Sequence, residues 1–174
     1  PPDVWGEGGA VRNYERLGWL LDLKPFVERD KDELDIEDFF PAAWAAYRIG
    51  GKQLGMPFMS VGSWLFYNVN MMEAAGLKTP SVSWDDTSWT WDRMVEAARK
   101  MAKWGGNRMT QGGVSVVHWA ILDIAYPWMF GGDWFPEEAY VTGRTTRTTF
   151  ARPENVRAYQ AAIDLLFKEK VAWD

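Results

Sequence analysis

The residues of this chain whose types suit acid–base chemistry are three adjacent carboxylate pairs, Glu37-Asp38, Asp85-Asp86 and Glu137-Glu138. Glycoside hydrolysis uses two carboxylates across the scissile bond, one of them kept protonated by a raised pKa. These pairs sit in polar loops or at a helix start, where caps and solvent account for them, and nothing beside them in the sequence would raise a carboxyl pKa. The single histidine, His118, lies between an apolar run and Trp119. A lone imidazole in that setting reads as a half-buried packing residue before it reads as a metal ligand or a base. No G-x-S-x-G, Walker A, G-x-G-x-x-G or H-E-x-x-H pattern occurs. The glycine pairs at 8–9, 50–51, 105–106, 112–113 and 131–132 lack a following Lys-Ser/Thr and read as turns and helix stops. Catalysis is the minority reading; no catalytic residue, metal or cofactor is assigned.

A different chemistry is suggested by "GMPFMSVGSWLFYN", residues 55–68. Ser60, Gly62 and Ser63 interrupt an otherwise bulky apolar run and are followed at once by Trp64. A buried strand gains nothing from two hydroxyls that need partners and a glycine that packs nothing. The run therefore reads as two apolar extended pieces joined by a flexible, hydroxyl-bearing link.

The 12 Trp, 9 Phe and 6 Tyr among 174 residues are the compositional outlier. An indole joins a large flat apolar face to an N–H donor, which suits a core wall or a ligand-stacking platform. Hydrophobic residues make up 47% and charged residues 25%, the balance of a globular chain. The net charge of −5 is interspersed and not basic, which argues against nucleic acid as a partner. No apolar stretch is long enough to span a bilayer. The absence of cysteine rules out disulfides and thiolate metal sites, and fits exposure to an oxidising compartment. A start at Pro1-Pro2-Asp3 suggests a removed targeting segment or an internal piece of a longer protein.

The elements that must position these residues mix strands and helices, with helix in excess, which argues an α/β fold with incomplete sheets. Residues 1–5 read as a strand end before a Gly-rich turn. A short helix and "GWLLDLKPFVERD", interrupted by Pro25, occupy 11–30. Asp38 is placed to cap a helix over Phe39 to Tyr47, stopped by Gly50-Gly51. Extended segments are expected over 52–58 and 63–69, with Asn68 bonding backbone at the end of the second, then a short helix over 70–76 closed by Gly76. After a polar loop, Thr90 caps an amphipathic helix from Trp91 to about Trp104, with Met94, Ala97, Ala98 and Met101 on one face. A helix over about 119–130 ends at Gly131-Gly132, and a loop or hairpin is expected over 133–152, where the Thr/Arg run favours extended structure over helix. Pro153 opens the last helix, whose apolar face is read as Val156, Tyr159, Ile163, Leu166 and Phe167. Trp5, Trp19 and Trp44 are expected in a core, and Trp91 and Trp104 in packing.

The order of segments resembles an extracytoplasmic solute-binding protein of the carbohydrate-uptake ABC transporter type. The residues that carry the resemblance are "PPDVW", "GWLLDLKPFV", "YRIGGKQLGMPF", "WLFYNVNMMEAAGLKTP", "TWDRMVEAARKMAK", "WMFGGDWF" and "FARPENVRAYQAAIDLLFK". They run through the whole chain in the family's order, and it is this order and spacing that is specific. Three departures stand out: Arg93 and Gly50 replace usual acidic residues, and "SVSWDDTS" enlarges the loop before "TWD". None of them is expected to touch the ligand cleft.

The resemblance implies a fragment of a protein about twice as long, with a type II periplasmic-binding-protein fold of two α/β lobes around a ligand cleft. Residues 1–60 would belong to the N-terminal lobe and 61–174 to the C-terminal lobe, with a hinge crossover near 58–63. Closure about that hinge would present a bound sugar to the permease without catalysis. On this reading Gly62 supplies the hinge's freedom, and Ser60 and Ser63 offer hydroxyls to sugar hydroxyls. Trp64 either stacks on a pyranose or forms core wall. A second implied cluster is Trp119, Trp128, Asp133 and Trp134, with Asp133 either accepting from two sugar hydroxyls or serving its turn. The implied partners are a carbohydrate and the permease subunits of an ABC transporter. Membrane contact would come only through that permease or a lipid anchor outside the chain, and the place of action would be the periplasm or the outer face of the membrane. A glycosidase, and a binding protein for another polar solute, are the alternatives.

Overall fold

The computed structural model describes residues 3–6, 11–59, 62, 64–116, 123–142 and 144–173. The chain divides into two compact units, Pro1–Gly62 and Ser63–Asp174. In the first, helices α1 (Val11–Arg16) and α2 (Lys24–Arg29), a 3-10 turn at Ile36–Asp38 and helix α3 (Pro41–Ala46) lead to a hairpin of β1 (Arg48–Ile49) and β2 (Lys52–Gln53). Pro25 lies in the first turn of α2, where no intrahelical N–H is missed, so it opens that helix. Asp38 is not the cap of α3. Phe40 holds that position at φ −55° and ψ 124°, because the residue before a proline is pushed out of the helical region. Nor does Gly50-Gly51 stop the helix: at φ +58° and +81° the pair forms the two-residue turn between β1 and β2. Left-handed backbone at both central positions is what a type I′ hairpin requires and what glycine supplies at least cost.

Two of the sequence segments meet in this unit. The Asp22 carboxylate accepts from Lys24 N and Gln53 N at 3.0 and 3.1 Å, and Leu23 N donates to Gln53 O at 2.7 Å. "WLLDLKP" is thereby tied to β2. Gln53 is buried, its Nε2 donating to Gly55 O at 2.7 Å. Trp44 is buried as expected, but Trp5 and Trp19 are exposed. They pack on Tyr14, Trp19 stacked and Trp5 edge-on, so an aromatic surface cluster replaces the expected core placement.

In the second unit, residues 64–68 join no strand; the extended segment expected there leads straight into helix α4 (Val69–Ala74). Asn68 caps it, its Oδ1 accepting from Met71 N at 3.0 Å. Gly76, at φ +65°, closes it with the paired bonds of a Schellman motif, Leu77 N to Met72 O and Gly76 N to Glu73 O. The apolar run is therefore not buried: Phe58, Met59, Trp64, Leu65 and Phe66 are exposed.

Thr90 caps helix α5 (Trp91–Met101) by accepting from Arg93 N at 3.3 Å. The helix ends at Met101, and Trp104 lies in β3 (Lys103–Gly105), which pairs with β4 (Arg108–Gln111) across Gly106-Asn107. Gly106 at φ +65° fills the glycine-first position of a two-residue hairpin, so the expected helix stop is again a hairpin turn. Helix α6 (Ala125–Met129) carries Pro127 in its first turn; its expected start at 119 lies outside the described residues. Helix α7 (Glu137–Thr142) and helix α8 (Pro153–Phe167) complete the unit. Over 133–152, where a loop or hairpin is expected, α7 forms and the rest of the described chain is irregular, so the Thr/Arg run joins no strand. The threonines there spend their hydroxyls on local backbone, as Thr145 Oγ1 does on Arg147 O at 2.9 Å, which competes with strand pairing.

The core forms where α5 meets α8 and the chain after it: Val95, Ala98, Leu165, Val171 and Ala172 are buried together. Met72, Leu77 and Ala97 form a second cluster between α4 and α5. Gly113 passes so close to α5 that a Cβ there would lie 2.0 Å from Ala98 O, and Val114 then bridges Ala172. The buried stripe of α8 is Asn155, Ala158, Ala162 and Leu165. Val156, Ile163 and Phe167 are exposed, which corrects the expected face. Alanines let the helix pack closely, and a second, bulkier set of residues at helical spacing lies on the outer face.

Candidate functional site

Helix α6 carries Trp128 and exits through a second Schellman motif, Gly132 N donating to Pro127 O at 2.8 Å and Gly131 N to Trp128 O at 3.2 Å, with Gly131 at φ +76°. This exit turns the chain so that Asp133 faces back on the helix. Trp128 Nε1 donates to Asp133 Oδ2 at 3.1 Å, Phe135 N to Oδ1 at 3.2 Å, and the Tyr140 hydroxyl to Oδ1. The Asp133 carbonyl accepts from Thr149 Oγ1 at 2.5 Å and from Asn155 Nδ2 at 2.7 Å. Asp133 thus joins α6, α7 and the start of α8.

Partial burial pushes the Asp133 carboxyl upward, but the donors from Tyr140, Phe135 and Trp128 outweigh it and hold the group below the usual carboxylate value. The Tyr140 phenol is pushed up to about 12, by burial first and by the Asp133 carboxylate second. The result is a fixed anion beside an indole whose ring is 54% exposed. Such a pair can offer a hydrogen-bond acceptor next to an apolar face.

Trp134 is half-buried, its ring against Phe150 at 5.4 Å and its Nε1 donating to the Tyr159 hydroxyl. Trp128 and Asp133 are therefore joined directly, while Trp134, next in sequence, turns its side chain to Phe150 and Tyr159. Trp64 makes its ring contact elsewhere, with Trp84, at 5.7 Å between centroids and 57° between planes. Ser60, Ser63 and Trp119, with His118, lie outside the described residues.

Reading the sequence missed Tyr140, Asn155 and Trp84. Tyr140 had a signal: Pro136 followed by Glu137-Glu138 is a helix start, which brings a residue one turn later toward Asp133. Asn155 and Trp84 had none, since their partners are distant in sequence.

In two of the carboxylate pairs one member is held below its usual value. Ser88 backbone and hydroxyl donors lower the Asp86 carboxyl, and hydrogen bonds led by Arg147 lower that of Glu138. A glycosidase acid needs the opposite shift. Among the described residues no His/Asp/Glu group is arranged to hold a metal ion, and no helix is long and apolar enough to cross a membrane.

The family of bacterial extracellular solute-binding proteins matches residues 4–173. Two proteins named arabinooligosaccharide-binding protein are similar to the chain. That of Bacillus subtilis (strain 168) is 30% identical over 90 residues, which is 52% of this chain and 18% of the relative. That of Halalkalibacterium halodurans is 27% identical over 149 residues, 82% of this chain and 28% of the relative. The chain thus spans less than a third of either. Among solved structures, an ABC substrate-binding protein from Listeria monocytogenes in complex with cycloalternan superposes with a TM-score of 0.68 at 24% identity, over 94% of this chain and 38% of that one. Maltose-bound MalE3 of T. maritima gives a TM-score of 0.57 at 24% identity, over 91% and 36%. These neighbours fix the fold as the type II periplasmic-binding-protein class, of which the chain covers part.

Proposed function

We propose that this chain, which belongs to the bacterial extracellular solute-binding protein family, is part of a receptor that captures an oligosaccharide. It acts in the periplasm or on the outer face of the cell membrane and delivers its ligand to the permease of an ABC transporter. The observation that carries this reading is the family match over residues 4–173. It is joined by two relatives named for arabinooligosaccharide binding. Members of this family bind and do not catalyse, so the glycosidase alternative is set aside.

Residues 1–60 form part of the N-terminal lobe and 61–174 part of the C-terminal lobe, with a hinge near 58–63 that closes on the ligand. The division of the chain into compact units at Gly62 supports this. Ser60, Ser63, Trp64, Trp119, Trp128, Asp133 and Trp134 face the sugar. The exposed indole faces of Trp64 and Trp128 suit the C–H face of a pyranose or furanose ring. Asp133 Oδ1 accepts from Phe135 N and the Tyr140 hydroxyl and Oδ2 from Trp128 Nε1, so Oδ2 is the oxygen proposed to meet a sugar hydroxyl.

The test is intrinsic tryptophan fluorescence and calorimetry of the full-length protein with arabino- and malto-oligosaccharides, monosaccharides, a peptide and a polyamine. The reading expects saturable quenching or enhancement by at least one oligosaccharide and no turnover of it. Binding of the peptide or polyamine alone, or of no sugar in the panel, overturns it.

A further inference from the structure

The enlarged loop before α5 places Trp84 on Trp64, a residue that the proposed function sets in the sugar site. The two rings lie 5.7 Å apart at 57°, an open V in which neither covers the other's outer face. Trp84 is 88% exposed and Trp64 63%. So large an apolar surface held in water has no packing rationale within the loop.

The loop is held by its own bonds. Ser83 N donates to Ser81 Oγ at 3.0 Å, and Ser88 donates to Asp86 through its N at 2.9 Å and its hydroxyl at 3.0 Å. Asp86 N donates to Ser83 O at 3.3 Å. The indole is therefore presented by a braced backbone, which reduces the ordering cost of binding. Its sequence neighbours Ser83 and Asp85, with Lys78, Ser81 and Ser88, line a hollow of about 620 Å3, whose lining includes neither Trp84 nor Trp64. Two exposed indoles on a loop whose adjoining residues carry hydroxyl and carboxylate groups suit a sugar residue, which has C–H faces and a rim of hydroxyls.

We propose that Trp84 and Trp64 form a two-ring platform that receives an additional sugar residue of a bound oligosaccharide, so that the loop selects for chain length. The inference rests on the oligosaccharide-binding reading given above.

The experiment compares the full-length protein with its Trp84→Ala and Trp84→Phe variants, by calorimetry with arabinobiose and arabinotetraose and with maltose and maltotetraose as a second pair. Loss of one aromatic stacking contact weakens the tetrasaccharide by about tenfold in Trp84→Ala. The disaccharide affinity stays within about twofold, Trp84→Phe keeps most of the tetrasaccharide affinity, and thermal unfolding of the ligand-free variants is unchanged. Equal affinities of Trp84→Ala and parent for the tetrasaccharide overturn the inference and leave the function standing. An equal loss for both chain lengths also overturns it, since Trp84 would then not select length. If the unaltered protein binds no sugar of either pair, the function itself falls and the inference with it.

Discussion

Gly132 and Asn155 are in such close register that a Cβ on Gly132 would lie 2.0 Å from Asn155 Oδ1. Asn155 is fully buried and donates its amide to two carbonyls, Asp133 O at 2.7 Å and Thr149 O at 2.6 Å. It cannot withdraw without leaving them. Gly132→Ala therefore overpacks a side chain that has nowhere to go and lowers stability by about 1–3 kcal/mol. The check is a urea denaturation midpoint that falls with an unchanged slope.

Removing the amide itself has a different cause. Asn155→Ala takes one of two donors from each carbonyl, since Thr149 Oγ1 still reaches Asp133 O and Arg152 N still reaches Thr149 O, so the cost is the net worth of two hydrogen bonds, about 1–3 kcal/mol in all. Asn155→Ala combined with Gly132→Ala should cost less than the sum, because the clash disappears with the amide. A double-mutant cycle by urea denaturation measures that difference.

The Asp133–Tyr140 pair makes stability depend on pH at both ends. The carboxyl of Asp133 is depressed in the fold, so its contribution is present above the ordinary carboxylate value and is lost as pH falls through the folded one. The Tyr140 phenol is raised from 10.0 to about 12, so its contribution is full below 10.0 and is lost as pH rises through about 12. Tyr140→Phe should flatten the alkaline decline and move the acid decline to higher pH. Urea midpoints across pH, with phenolate absorbance for the upper limb, report both.

The hairpin of the first unit depends on two left-handed residues, Gly50 at φ +58° and Gly51 at φ +81°. Gly51→Val places a β-branched residue there and should cost about 1–2 kcal/mol, whereas Gly50→Asn is tolerated. Thermal unfolding of the two variants distinguishes a turn from a simple helix stop.

Helix α8 offers a direct test of which face is inward. Ala162 is buried and Ile163 is exposed. Ala162→Leu should destabilise by about 1–3 kcal/mol through overpacking, while Ile163→Ser stays within about 0.5 kcal/mol. The reverse order of urea midpoints would restore the face read from the sequence.

What could be read from the sequence was local. Thr90 and Pro153 announce helix starts through bonds and angles confined to three or four residues, and each holds in the structure, whereas Asn68, read as bonding backbone at a strand end, does so as a helix cap. Gly76 and Gly131 close helices for the same reason. The pairs at 50–51 and 105–106 failed because a left-handed glycine serves a C-cap and a hairpin equally, and strands of two to four residues give no periodicity to separate them. In the proposed site, Trp128, Asp133 and Trp134 were singled out by their place in the family order. The reason Asp133 is held there was hidden, because Tyr140, Thr149 and Asn155 reach Asp133 from 7, 16 and 22 residues away.

The bond from Trp128 to Asp133 also has a photophysical consequence. An indole anchored through its N–H to a carboxylate on the next turn has its transition dipole locked to the frame of α6. Its polarised emission should report tumbling of the whole body, with little contribution from local wobble. Trp84, on its loop, depolarises faster while free and slows only when something occupies the angle between the two rings. Time-resolved anisotropy of variants that lack Trp84 or Trp128, each taken as a difference from the parent with its 12 Trp, could then tell an event at the loop from one at the helix without an added label.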